Sequence, residues 1–471
     1  MMLQIYQSAR RVVVYMGEQS DHSELLPEFF DTVIRARRVF DSLDKGEEYV
    51  EPEDLSRSMG TLRKIGMPTS NNIMWHAARA FYGRPWTLRV WIVQEVVVAN
   101  ELVFMCGGWK LPGSIVYDAV IACMLYPQLR PFGDMSYTQA IAWNEQAKGL
   151  RQLFRIMHAR SVKLAGLTAL LDLFYLTQRC KATDPRDQVF AVLGMAQEAT
   201  QPALGPNYRE DWRDSYLRYT EYLFRVGLGL RALYLSSADS ASASKQNGEI
   251  PSWVPDFSFE GNLIWFANDH DEVHGKTTAG GHDAPSLRIN MTLRTLTVQA
   301  LQLDSIQFLS HSQTPQQISD LYGQILQWRA ELEELVPSAQ SASAEETQDK
   351  ICNVMLCQQE LPDLELVRSM IWSADPTEFS ESLDGTKLFR DLNHLCGSRR
   401  RCVTSTGLLG QVPLLAQEGD MIVIPIGAAV PFVLHPRQAR YQLIGQAYIH
   451  GVMMGEALQF DQIAKKEIEL V

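Results

Sequence analysis

No apolar run in this chain is fit to cross a bilayer: the longest, Met421 to Leu434, is too short and is interrupted by Pro425 and Pro431. The amino terminus, MMLQIYQSARR, lacks an apolar core followed by a cleavage site, which excludes a secretory signal. Cysteine is scarce and odd in number, seven residues spread from Cys106 to Cys402, so a small disulfide-stapled domain is excluded and a reducing, cytoplasmic compartment is expected. The spacings Cys352 to Cys357 and Cys396 to Cys402, with His394 nearby, depart from the close cysteine pairs of structural zinc, and no metal is expected. Positive charge is also in short supply. With a formal net charge of -12 there is no surplus to form a phosphate-neutralising face, so nucleic acid is not an expected partner. The one dense basic cluster, Arg399 to Arg401, reads as a solvated loop beside a strand. A GKT string ends at Thr277, but His270 stands where a P-loop needs its first glycine, which excludes that nucleotide site.

What remains is an ordinary globular composition, 46% hydrophobic and 21% charged, over 471 residues, enough for about two to four domains. The most informative stretch is FYGRPWTLRVWIVQE, Phe81 to Glu95, continuing to Cys106 and Gly107. Gly83 and Pro85 stop one helix and allow another to begin. From Trp86 the run is apolar until Gln94 and Glu95, two polar residues inside a buried pattern. In a continuous helix Trp91 and Glu95 share a face, and an indole laid against a carboxyl strips its water and raises its pKa, the condition for acid, base or electrostatic work. The plainer use of Glu95 is an ion pair with Arg89 or Arg84, or contact with water at the helix edge. Both stay open on the residues alone.

Along the rest of the chain, Leu3 to Arg10 reads as the end of a helix, and Val12 to Met16 as a buried strand closed by Gly17. Leu25, Leu26, Phe29, Phe30, Val33 and Ile34 recur at helical spacing, followed by a polar loop from Lys45 to Arg57 and a helix from Asn71 to Tyr82. Leu102 to Cys106 reads as a strand, and Tyr117 to Thr177 as helices with apolar stripes. In TDPRD, Thr183 or Asp184 can cap a helix, Pro185 fits its first turn and Asp187 its positive end, which explains these residues without catalysis. Trp212 to Val226 is helical, Ser236 to Ser244 a flexible loop, and PSWVPDF, Pro251 to Phe257, an extended segment pinned to a surface by Trp253. Leu293 to Phe308 alternates as a strand, and helices follow at Gln316 to Leu335 and Ile351 to Leu366, separated by a low-complexity tract from Ser338 to Glu346. Arg401 to His450 is β-rich, with His450 and Glu456 on the polar surface of a small barrel.

Several of these strings share a pattern. RPWTLRVWIVQEVVVANELVFMCGG resembles the closing segment of the fungal heterokaryon incompatibility (HET) domain, IYQSARRVVVYMGE at Ile5 to Glu18 resembles an earlier HET segment, and ATDPRDQVFAVLGMA at Ala182 to Ala196 resembles the segment that follows the domain. Tyr15 and Met16 stand where the family has Trp and Leu. PSWVPDF and the run from Gly419 to Ala457 are similar to later segments of HET proteins. The family's opening segments, Y-x-A-L-S-Y-x-W-G and a strand ending in D-A-x-C-I-N-Q, do not occur, so the chain is expected to be a truncated product, a wrong start or a divergent form. The resemblance implies four segments: the C-terminal part of a HET domain at 1–112, a helical region at 113–235, a mixed linker, strand and helical region at 236–400, and a small β-rich closing region at 401–471. The fold class it implies is a truncated TIR-like open α/β sheet, a helical middle and a small β-rich end.

The function implied is non-self recognition and programmed cell death after hyphal fusion, with protein partners, either a second copy or an incompatibility partner. Some TIR domains hydrolyse NAD with a Glu four residues after a Trp. By that resemblance Glu95 is the candidate catalytic residue, Trp91 shapes its pocket, and NAD is a substrate rather than a bound cofactor. The alternatives are a non-catalytic assembly module and an inactive fragment.

Overall fold

The β-branched run Val12 to Val14 forms a strand that is buried on one face only. In the computed structural model, β1 (Val12–Tyr15) is the edge of a three-stranded sheet, parallel to β2 (Leu102–Cys106), with Val12 opposite Leu102 and Tyr15 opposite Met105. The third strand, β3 (Trp109–Pro112), runs antiparallel to β2. Period-two alternation puts Val12, Val14, Leu102, Phe104 and Cys106 in the core and leaves Val13 and Tyr15 outward, so the expected buried strand is buried only at alternate positions.

The structure describes residues 2–43, 66–69, 72–126, 129, 137–162, 168–177, 180–238, 242–258, 277–310, 321–335, 344–357, 368–369, 371–372, 399–460 and 463–471. These fall into two units, Met1–Arg209 and Glu210–Val471. The Lys45 to Arg57 loop, His270 and the first two residues of the GKT string, His394 and Cys396 lie outside the described residues.

In the first unit, α1 (Met2–Ser8) leads into β1, and α2 (Leu26–Leu43) lays its stripe of Leu26, Phe29, Phe30 and Val33 into the core. Burying each such side chain contributes roughly 1.5–3 kcal/mol. α3 (Ile73–Tyr82) starts where Asn72 accepts a hydrogen bond from the Met74 amide. Phe30 meets Phe81 and Trp109 edge to face, joining α2, α3 and β3. The expected single helix after Pro85 is broken in two: a 3-10 turn over Pro85–Leu88, then α4 (Ile92–Val97). The cause is distant in sequence. Arg89 is extended because the chain there pairs with Lys181, whose amide donates to the Leu88 carbonyl at 2.5 Å and whose carbonyl accepts from the Val90 amide at 3.0 Å. After β3 come α5 (Gly113–Leu125), α6 (Tyr137–Ser161), α7 (Leu170–Thr177) and α8 (Asp187–Leu193).

In the second unit, α9 (Trp212–Arg225), α10 (Gly229–Ala238) and α11 (Ala243–Gln246) precede β4 (Leu287–Asn290) and the long β5 (Thr295–Leu309). Then follow α12 (Leu321–Leu335), α13 (Ala344–Leu356), β6 (Arg399–Thr404), β7 (Leu409–Pro413), β8 (Met421–Pro425), β9 (Phe432–Arg437), β10 (Arg440–Gln446), β11 (Tyr448–Ile449) and β12 (Lys465–Leu470). β5 is long enough to pair β12 along its first half, β8 along its middle and β6 at its end, so β5, β12, β10, β9 and β8 close into a ring. Val298, Val423, Phe432, Leu434, Leu443 and Ile468 fill the ring and leave about 10 Å³, less than a water needs, so this barrel is a core and not a ligand pocket.

Three expectations about this unit are corrected. Arg399 and Arg401 are buried inside β6 rather than in a solvated loop. Arg399 donates to the Gln446 carbonyl, Arg400 to the Ser310 and Ala416 carbonyls, and Arg401 stacks 4.7 Å over the Trp328 ring. The described start of the Ser/Ala tract is helical rather than loop: Ser236 is buried in the last turn of α10, where the Lys245 ammonium donates to its carbonyl and hydroxyl and to the Ser252 carbonyl at 2.7, 2.7 and 3.0 Å. PSWVPDF is turned, not extended, because the Val254 amide closes back on the Pro251 carbonyl, and Trp253 is buried completely rather than pinned to a surface.

Candidate functional site

Gly83 ends α3 with its amide on the Arg79 carbonyl, and the next residue reaches back to the sheet. The Arg84 guanidinium donates to the Met16 carbonyl at 2.7 Å, the Glu18 carbonyl at 3.2 Å and the Ser20 hydroxyl at 3.0 Å, so it fixes the loop leaving β1 and does not pair with Glu95. Trp86 packs edge to face on Phe104 of β2.

The helix breaks at Arg89, and Trp91, itself helical in its dihedrals, stands at the entrance of α4. Its indole N–H donates to Asp187 Oδ2 at 3.0 Å, and the Tyr208 hydroxyl donates to Asp187 Oδ1 at 2.6 Å. The neighbouring Asp184 accepts Nε and Nη2 of Arg186 at 2.9 and 2.7 Å, a bidentate pair that holds its carboxyl below the usual range. Arg186 also donates to the Tyr208 carbonyl at 2.7 Å and lies over that ring. Partial burial and the bond to Asp187 push the Tyr208 phenol up. Behind this layer, Gln94 is buried and donates to the Ala191 carbonyl at 2.6 Å, and Gln188 donates to the Cys180 carbonyl at 2.6 Å. The WIVQE and TDPRD strings are therefore two halves of one clamp.

Glu95 is half-buried and hydrogen-bonds the Tyr6 phenol of α1; burial, then the Glu95 charge and that bond, raise the Tyr6 pKa, with Arg89 opposing. The structure thus brings the Trp91 indole N–H to Asp187 and the Glu95 carboxylate to Tyr6. A cleft of about 340 Å³ in this unit is lined by Glu101, Leu102, Ser114, Tyr117, Arg160 and Ser161, among others that include neither Trp91 nor Glu95. Arg160, which sequence reasoning passed over, donates to the Val96, Ala99 and Asn100 carbonyls and so caps the open end of α4. Only its place in a basic last turn of a long helix marked it in the sequence.

In the barrel, Asp420 is almost fully buried, accepting from the Gln417 amide at 2.8 Å and meeting His435 Nδ1 at 2.6 Å; burial raises its pKa. His450 meets the Tyr448 hydroxyl at 3.4 Å, while Glu456 accepts from the Met454 amide at 2.7 Å. Burial lowers the His450 pKa. Among the described residues no group of three or more His, Cys, Asp or Glu stands close enough to hold a metal. The six described cysteines are buried and form no disulfide, and burial pushes the Cys402 thiol up to about 12. No described helix is long and apolar enough to cross a membrane.

Comparison with known proteins matches both ends of this architecture. Residues 1–95 match the Heterokaryon incompatibility protein (HET) family, and residues 369–471 match the Het-6 beta-barrel domain. The chain is thus similar to HET-domain proteins over residues 1–95 and to Het-6 barrel domains over residues 369–471. It is similar to Heterokaryon incompatibility protein 6, OR allele, from Neurospora crassa, at 22% identity over an alignment of 553 residues covering 97% of this chain and 78% of that protein. No solved structure matches it. The barrel's closing strand β5, at 295–309, lies before the matched range, so the ring draws on chain outside that domain match.

Proposed function

We propose that this chain acts in heterokaryon incompatibility, as a non-self recognition protein whose engagement leads to programmed cell death after genetically different hyphae fuse. The observation that carries this is the ordered pair of matches, HET at one end and the Het-6 barrel at the other, together with similarity to an incompatibility protein along 97% of the chain. Its partners in this account are proteins, and the compartment is the cytoplasm shared by fused cells. The test is expression in a tester strain followed by fusion with strains of differing genotype. Fusion cells that take up a vital dye with some partners and not others are expected; viability equal to that of empty-vector strains with every partner would contradict the proposal.

The same account gives Trp91 and Glu95 to architecture. A TIR-like NAD hydrolase working through Glu95 is the weaker use of these residues, because the indole N–H is spent on Asp187 and the carboxylate accepts from Tyr6.

A further inference from the structure

We propose that the cleft of about 340 Å³ in the first unit binds a small organic phosphate, with the Arg160 guanidinium holding the anion. The site is independent of the incompatibility reading. Its walls are described residues throughout, drawn from the turn before β2, the start of α5 and the end of α6. Three of the five Arg160 N–H groups are spent on the Val96, Ala99 and Asn100 carbonyls, all neutral acceptors. Among the described residues the other two, one on Nε and one on Nη2, have no acceptor. No carboxylate stands close enough to offset the charge either, since burial alone acts on this group and pushes its pKa down. Glu101, the one carboxylate on the cleft wall, is taken by Arg11 at 2.7 Å, and that bond holds its pKa low. A partly buried cation with donors to spare and no counter-charge is half of an ion pair, and the cleft beside it is where the other half fits.

The rest of the wall selects the kind of anion. A carboxylate is satisfied by two parallel N–H groups, but this cleft adds hydroxyls. Ser114, exposed in the first turn of α5, has no hydrogen-bond partner among the described residues. The Tyr117 hydroxyl stands 3.1 Å from Ser161 Oγ and 3.3 Å from His158 Nδ1, both long for an O–H donor, so its proton can turn into the cleft at little cost. Two guanidinium donors and two hydroxyls suit the three terminal oxygens of a phosphate monoester. The size of the cleft points to more than the anion. It lies at the small end of ligand pockets and is larger than a bare phosphate fills, and Leu102, Pro112 and Met157 offer an apolar wall for the carbon skeleton of the ester.

The experiment is calorimetric titration of the full chain, in a phosphate-free buffer, with phenyl phosphate, inorganic phosphate and phenol as probes. One phenyl phosphate per chain is expected, with inorganic phosphate binding roughly tenfold more weakly and phenol not at all. Ser114→Ala and Tyr117→Phe are each expected to weaken phenyl phosphate by roughly tenfold, while circular dichroism melts of the unliganded variants match the native chain. Arg160→Lys keeps the charge but loses the planar fork, and is expected to lose binding by more than either. Because Arg160 also caps α4, the two hydroxyl variants decide the matter if Arg160→Lys does not fold. Absence of phenyl phosphate binding to the native chain would overturn the proposal. So would binding undiminished in both Ser114→Ala and Tyr117→Phe, or inorganic phosphate binding as tightly as phenyl phosphate.

Discussion

Gly149→Ala is expected to destabilise the first unit by about 3 kcal/mol, the upper end of ordinary overpacking. Gly149 lies in α6 where that helix crosses the end of α3, and a Cβ built there would stand 1.8 Å from the Tyr82 carbonyl oxygen and 2.7 Å from the Thr87 hydroxyl. Neither neighbour can retreat cheaply. Tyr82 is fully buried, and Thr87 is held by bonds to the Tyr82 and Arg84 carbonyls at 3.2 and 2.8 Å. The change therefore has to move α6 outward, loosening the packing on the segment that carries Arg84, Trp86 and Trp91. Denaturant unfolding should show a lower midpoint in the transition of this unit, with the second unit's transition unmoved. An unchanged midpoint would mean that α6 does not approach α3 as described.

Trp253→Ala is expected to cost the second unit about 4 kcal/mol, within the range for emptying a buried indole site. The side chain is fully buried, its ring meets Phe224 of α9 edge to face at 5.9 Å, and its N–H donates to the Arg294 carbonyl at 3.2 Å. It therefore joins the helical layer to the start of β5, the strand on which the barrel closes. Trp253→Phe keeps most of the volume and gives up the hydrogen bond, for an expected loss of about 1 kcal/mol. The comparison separates volume from polarity. Equal stability of the native chain and Trp253→Ala, measured by calorimetry, would contradict the assigned packing.

Local patterns carried much of this fold. The stripe of α2, the start of α3 after its polar cap, the helix begun by TDPRD and the β-rich end each obey rules acting over a few residues, and those elements stand where their periodicity places them. The misreadings share one physical origin: the deciding partner is remote in sequence. Arg89 breaks a good helix because Lys181 offers it a bridge, and propensity between Trp86 and Val97 contains no trace of that. Arg399 and Arg401 look solvated by charge, yet main-chain carbonyls and the Trp328 ring accept them inside the unit. Ser236 lies in a low-complexity tract but is buried beneath a lysine whose donors are all spent on it and on Ser252.

The candidate site shows the same division. Trp91, Gln94 and Glu95 were conspicuous as polar or aromatic groups in an apolar run, and all three do make specific contacts. Spacing of four residues put Trp91 and Glu95 on one face, but it could not name their partners: the indole N–H goes to Asp187 of the TDPRD segment and the carboxylate to Tyr6 of α1. The TDPRD residues, explicable as a helix start, also bind across to the focal segment, which their local chemistry does not encode.

The central claim is that these two strings form a single clamp through Trp91 and Asp187, and a double-mutant cycle tests it most directly. Trp91→Phe, Asp187→Ala and the double variant are compared by urea unfolding of the full chain, following the first unit. A coupling energy of about 1 kcal/mol is expected, since the bond reaches a carboxylate but the site is partly open to solvent. Effects that add to within about 0.3 kcal/mol would show that the indole and the carboxylate act independently, and the clamp would be refuted.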